Sequence, residues 1–218
     1  MNAIMTSRQA AELDFAFERN GYTADDVKKL SSGNLLARLL PVVKGNAEVK
    51  IVRRWDERDG IIYFSVTSNG MTGKEWVKHF ESKGIKVSDC AKQVLLSKDF
   101  KPSKKGTVYN IAVIKGEFFS DDNRITSKIR EEADRRKMTK PNAEVACLIR
   151  DLFTDEEIKV MDLYWIVAMH EPIKDSDGYP GLLSAGWDDD ESWLSACYGL
   201  PDGGWAREGG FAFVASPQ

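Results

Sequence analysis

The chain reads as an α+β protein: a helical N-terminal cap, a mixed α/β centre and a C-terminal antiparallel β-meander with long loops. Three observations predict this. Helix-start signals and apolar stripes fill the first 45 residues. From Ala47 onward, short β-rich runs and helical runs follow one another irregularly, unlike the regular alternation of a doubly wound sheet. From Tyr164, three apolar or alternating runs (164–170, 192–198 and 210–215) are separated by polar stretches rich in Trp, Asp and Gly. The boundaries implied are 1–45, 46–161 and 162–218.

Thr6 and Gln9 have capping-box spacing, and Ala10, Leu13, Phe15 and Phe17 follow before Asn20-Gly21 stops the helix. Thr23 opens a second helix that ends near Ser31-Ser32-Gly33. A third, Asn34–Leu40, stops at Pro41, since proline lacks the amide a helix needs. Three short amphipathic helices suggest a cap that packs on something larger. Val49, Ile51 and Val52, the turn Asp56–Gly60 and the run Ile61–Thr67 predict an antiparallel hairpin. A loop and an amphipathic helix come next, then a strand at Ile85–Val87, a helix at Asp89–Leu96 and a strand at Thr107–Lys115. Asp121–Asp162 is helical with a break at Thr139-Lys140-Pro141, and Thr154 with Glu157 marks a further helix start.

The 218 residues suffice for one full core, with or without a small appendage. A net charge of -3 and a pI near 5.6 disfavour nucleic acid as a partner, because phosphate binding needs a basic surface. No apolar run reaches membrane-spanning length and no secretory leader pattern is present, so no membrane partner and a cytoplasmic address are expected. The three cysteines are widely spaced and read as reduced thiols, with neither a disulfide framework nor a zinc site.

Several stretches invite a chemical reading. Ser68–Glu75 resembles a phosphate-binding loop, but Ser68 and Glu75 stand where that motif needs Gly and Ser/Thr; a Thr72/Glu75 capping box explains the same residues. His79 belongs to the polar face of its helix. His170, Glu171, Asp175 and Asp177 form the candidate metal cluster and would also anchor any unrecognised enzyme site, although a turn signal accounts for the two aspartates. No hydrolase motif is present, and neither a catalytic residue nor a cofactor is assigned. The segment 124–152 has the outline of a helix-turn-helix, the alternative nucleic-acid reading, yet its second helix is largely apolar.

The strongest candidates lie in the tail. Trp187, Asp188, Asp189, Asp190, Ser195, Tyr198, Asp202, Arg207 and Glu208 combine aromatic, acidic and small polar side chains, the make-up of adaptable binding surfaces. The alternative is that Trp187, Trp193 and Trp205 close the end of a sheet as core. The expected partner is a protein or other macromolecule, bound without catalysis.

The runs 141–151 and 165–178, the Trp193-Leu194, Ala196 and Tyr198 pattern and Gly210–Val214 resemble a recurrent family of uncharacterised bacterial proteins. The resemblance covers nearly the whole chain. It implies a tail similar to the variable regions of diversity-generating retroelement targets, with variable positions between Ser184 and Gly209 and a framework of Trp193, Leu194, Ala196, Pro201 and Trp205. The chain lacks the Arg after Gly-Phe and the GGSW-type motif of diversified C-type lectins. A strand scaffold with variable loops is therefore expected, with a C-type-lectin-like fold as the other possibility.

Overall fold

A computed structural model describes residues 5–32, 34–48, 53–189 and 191–215 and divides the chain into two units, at Val52/Arg53. The first unit contains α1 (Ser7–Arg19), α2 (Ala24–Ser31) and α3 (Leu35–Val43). Thr6 and Gln9 form the expected capping box, and Thr23 forms a second one with Asp26. Contrary to expectation, α3 runs through Pro41. Proline removes a single amide bond in the last turn, and the helix closes beyond it with Lys44 N bonded to Leu40 O. Leu36, Leu40 and Val43 are exposed.

The second unit is built on one sheet. Its strands are β1 (Asp56–Arg58), β2 (Ile61–Thr67), β3 (Lys86–Val87), β4 (Val108–Lys115), β5 (Trp165–Ala168), β6 (Ile173–Lys174), β7 (Pro180–Asp188), β8 (Glu191–Tyr198) and β9 (Gly209–Val214). Along the main path they lie in the order β1-β2-β4-β9-β5-β7-β8-β3, with β6 paired to β7. β1 and β2 form a hairpin, but Asp56–Arg58, read as part of its turn, is the first strand, and the turn is only Asp59 and Gly60 at φ of 53° and 70°; paired left-handed residues match the strand twist. The expected strand residues Val49, Ile51 and Val52 lie outside the described residues.

Two features of the tail differ from the sequence reading. The stretch 180–188, read as loop, is the long strand β7, and its small residues hide the signal: a Cβ at Gly186 would stand 2.7 Å from that of Trp165. The antiparallel meander holds for β5, β7 and β8 but not for β9. The connection 199–208 carries the chain back across the sheet, and β9 enters between β4 and β5, antiparallel to the first and parallel to the second.

Both faces of the sheet centre are buried, which is why β4 and β9 are nearly continuous apolar runs. One face carries Ile62, Phe64, Ile111, Val113, Ile166, Leu183, Ala185, Leu194 and Ala212. On it pack α4 (Gly73–Ser82), α5 (Asp89–Leu96), α7 (Glu144–Leu152) and α8 (Asp155–Val160). The opposite face carries Ile61, Ala112, Ile114, Val167, Leu182, Phe211 and Phe213, covered by Ile129 and Ala133 of α6 (Thr126–Arg135) together with Phe119 and Met138. This second cluster stops at Leu182. Further along β7 and β8, the same face presents Ser184, Gly186, Trp193, Ser195 and Cys197.

The helix-turn-helix outline does not hold. Every residue of α7 from Glu144 to Arg150 is buried, so the helix offers no face to a groove. Its polar side chains serve the interior: Glu144 accepts from Ser68 Oγ and from the Ser103 amide, each at 2.9 Å. Ser68, the first residue of the loop that resembled a phosphate binder, is thereby engaged, and Thr72 with Glu75 caps α4.

Candidate functional site

The site is the uncovered part of the α6-side sheet face, a groove of about 410 Å³ lined by Tyr164, Trp165, Ser184, Gly186, Trp187, Asp188, Trp193, Ser195 and Cys197. Register explains its floor. Side chains directly opposite in an antiparallel pair share a face, and β7/β8 pairs Ser184 with Ser195 and Gly186 with Trp193. Gly186 lies between Trp165 on β5 and Trp193 on β8, and the strands pack so closely there that a Cβ would meet that of Trp165 at 2.7 Å. Trp165 is held from below by Trp205 and Phe211, with ring centroids at 5.5 and 5.8 Å. Trp187 donates from Nε1 to Leu163 O at 3.2 Å and meets Tyr164 edge-on at 4.7 Å.

Electrostatically the groove is one-sided. Asp188 is the one charged side chain among its described lining residues. Asp188 stands opposite Glu191 where β7 turns into β8, and Glu191 is paired with Lys86. Ser184 is 3% exposed, and among the described residues the one hydrogen-bond partner of its hydroxyl is Cys197 Sγ at 3.7 Å. Burial pushes the Cys197 thiol above its ordinary value, so it stays protonated and unreactive.

Of the sequence-predicted ligand residues, Trp187, Asp188 and Ser195 line this groove. Asp189 sits at its rim with φ of 45°, in the two-residue connection between β7 and β8. Asp190 lies outside the described residues. Tyr198 does not join them: at the far end of β8 it faces Tyr179 at 5.2 Å. Asp202, Arg207 and Glu208 lie in the β8–β9 connection, where Arg207 and Glu208 border a separate small cleft with Lys115 and Asp162. That connection is anchored rather than free. The amides of Thr126 and Ser127, which open α6 without a side-chain cap, donate to Gly203 O and Pro201 O, and Trp205 Nε1 donates to Thr126 Oγ1 at 2.9 Å. Trp205 is therefore structural, whereas Trp193 is a groove wall.

The larger cleft, about 540 Å³, lies around His170 and Glu171, and these two side chains are already engaged. His170 is buried. Leu183 N donates to its Nε2 at 3.0 Å, which places the proton on Nδ1, 2.7 Å from Glu171 O. Burial moves the ring pKa down to about 4, so it is neutral near pH 7. A hydrogen bond from Lys140 holds Glu171 below the usual carboxylate range, and Asp175 accepts from the amides of Asp177 and Tyr179. The candidate metal ligands His170, Glu171, Asp175 and Asp177 are thus not brought together, and no metal-holding group of three or more His, Cys, Asp or Glu exists among the described residues. His79 differs from its expected solvated state: its Nε2 lies 2.7 Å from Asp151 Oδ1, beside Lys83. Burial would raise the Asp151 pKa, but the bonds from His79 and Lys83 outweigh it and keep the carboxyl low.

Comparison with known protein families, curated proteins and solved structures returned no match. Among the described residues, no helix is long and apolar enough to cross a membrane.

The sequence reading missed Tyr164, Trp165, Ser184, Gly186 and Cys197, and it assigned Trp193 to the framework. A usable signal existed. Closing a hairpin over Asp189-Asp190 pairs Ser184 with Ser195, and the alternation Trp193, Ser195, Cys197 then falls on one face.

Proposed function

We propose that this protein is a non-catalytic recognition protein. It binds a macromolecular ligand through the aromatic groove and the adjoining hairpin, with the β7–β8 sheet as a fixed platform. The observation that carries this reading is that Trp165 and Trp193 stand with Ser184, Ser195 and Asp188 on the uncovered part of one sheet face, with Tyr164 and Trp187 at the edge of the groove. Concave sites with aromatic walls and a few convergent polar groups are where ligands bind. Aromatic side chains supply contact area, while Asp188, Asp189 and Ser195 supply selectivity. Of the framework expected from the family resemblance, Leu194 is buried and Pro201 and Trp205 brace α6, whereas Trp193 lines the groove. A diversified tail would vary the hairpin and groove positions while sparing these.

The reading is tested by thermal unfolding of a library randomised at Asp188, Asp189, Glu191, Ser195, Tyr198, Asp202, Arg207 and Glu208. Substitutions on a display surface change stability by about 0.5 kcal/mol or less each, so most members should melt near the parent. If most unfold or aggregate, these side chains belong to the fold and the recognition reading fails.

A further inference from the structure

We propose that the groove receives an arginine side chain presented by a partner protein. This rests on the recognition reading above and names the chemistry of its ligand. Three observations select the occupant. Among its described lining residues the groove has no cation, and the single charge is the Asp188 carboxylate. Among the described residues Asp188 has no ion-pair partner, while Glu191 opposite it is satisfied by Lys86. Like charges facing each other across a strand pair repel, and an incoming cation relieves that repulsion. An anionic ligand would add to it.

The walls favour a cation of a particular shape. Indole and phenol faces attract cations, and this molecule already uses them so: Lys86 lies 5.2 Å from the centre of Trp193 and Lys159 lies 4.5 Å from that of Trp187. Neither lysine is among the residues that line the groove. Trp165 and Trp193 pair with Gly186 from either side, so two indoles stand on the groove face with no side chain between them, and indole faces suit a flat group.

The floor distinguishes among cations. Ser184 and Ser195 face each other, and Ser184 Oγ is buried with only a long contact to a thiol. These are acceptors without a good donor. A quaternary ammonium has no N–H to give them, and a lysine ammonium is a compact point charge. A guanidinium is planar, stacks on aromatic faces and carries five donors, enough to reach both the carboxylate and the hydroxyls.

The test titrates the intact chain with N-acetyl-arginine amide, N-acetyl-lysine amide and N-acetyl-citrulline amide, following the indole N–H resonances of Trp165, Trp187 and Trp193. Citrulline keeps the planar shape and loses the charge. The expected result is saturable shifts with arginine, binding at least ~tenfold tighter than citrulline or lysine, the equivalent of one charge-assisted hydrogen bond. Asp188→Asn should erase that preference, while Asp189→Asn should keep it. Equal binding of arginine and citrulline, or no shift with any probe, overturns the arginine assignment. If the randomised library still melts like the parent, the recognition reading survives that result; if the library unfolds, the recognition reading itself is lost.

Discussion

Arg150 and Gly186 are joined by a 2.7 Å hydrogen bond, from Nη1 of the buried guanidinium to the carbonyl oxygen of the strand residue that lies between Trp165 and Trp193 in the groove floor. The same guanidinium reaches Asp155 and the Phe153 carbonyl, at 2.7 and 2.6 Å. Helix, loop and strand are tied together at one point behind the groove. Arg150→Met should cost about 3–5 kcal/mol, since removing one partner of a buried pair leaves the other side uncompensated. Urea unfolding measures this, and a loss below about 1 kcal/mol would contradict the assigned role.

His170 makes stability depend on pH in a definite direction. Its folded pKa of about 4 lies below the ordinary 6.5, so between these values the unfolded chain binds a proton that the native protein does not. Stability from this group is fully present above pH 6.5, falls as pH drops toward 4 and levels off below. The total is about 3 kcal/mol for a shift of this size. His170→Gln should unfold in urea with a shallower pH slope across that window than the parent; an unchanged slope would show that the histidine is not held neutral.

Gly209 sets the position of Trp165. A Cβ there would lie 2.0 Å from the Trp165 ring, which is closed in by Trp205 and Phe211. Gly209→Ala should therefore cost about 1–3 kcal/mol through overpacking and should change the near-ultraviolet circular dichroism of the tryptophans. Gly204→Ala is the control: the added methyl meets nothing within 4 Å, and the melting temperature should barely move.

The local layer of the fold was legible in the residues. The capping boxes at Thr6, Thr72 and Thr154 each start a helix where expected, because they satisfy specific orphan amides. The tertiary layer was not. Nothing local tells β9 to pair with β4 and β5, since strand order depends on where the 199–208 connection is anchored, and its carbonyls meet the amides of α6 only in the folded chain. The site was half legible for a similar reason. Trp187, Asp188 and Ser195 stand out by composition, whereas Ser184 and Gly186 acquire meaning only from the register that sets them opposite Ser195 and Trp193.

The central place of β9 has a consequence for how the molecule is made. With β4 on one side and β5 on the other, the two halves of the sheet cannot join until translation has passed Val214. A stop or frameshift anywhere between Asp188 and Glu208 leaves two half-sheets with bare inner edges, the kind of species that aggregates or is degraded. Any product that folds has been read in frame through the whole segment carrying the hairpin and the groove. The last strand thus completes the sheet only in a chain read in frame through the hairpin and the groove.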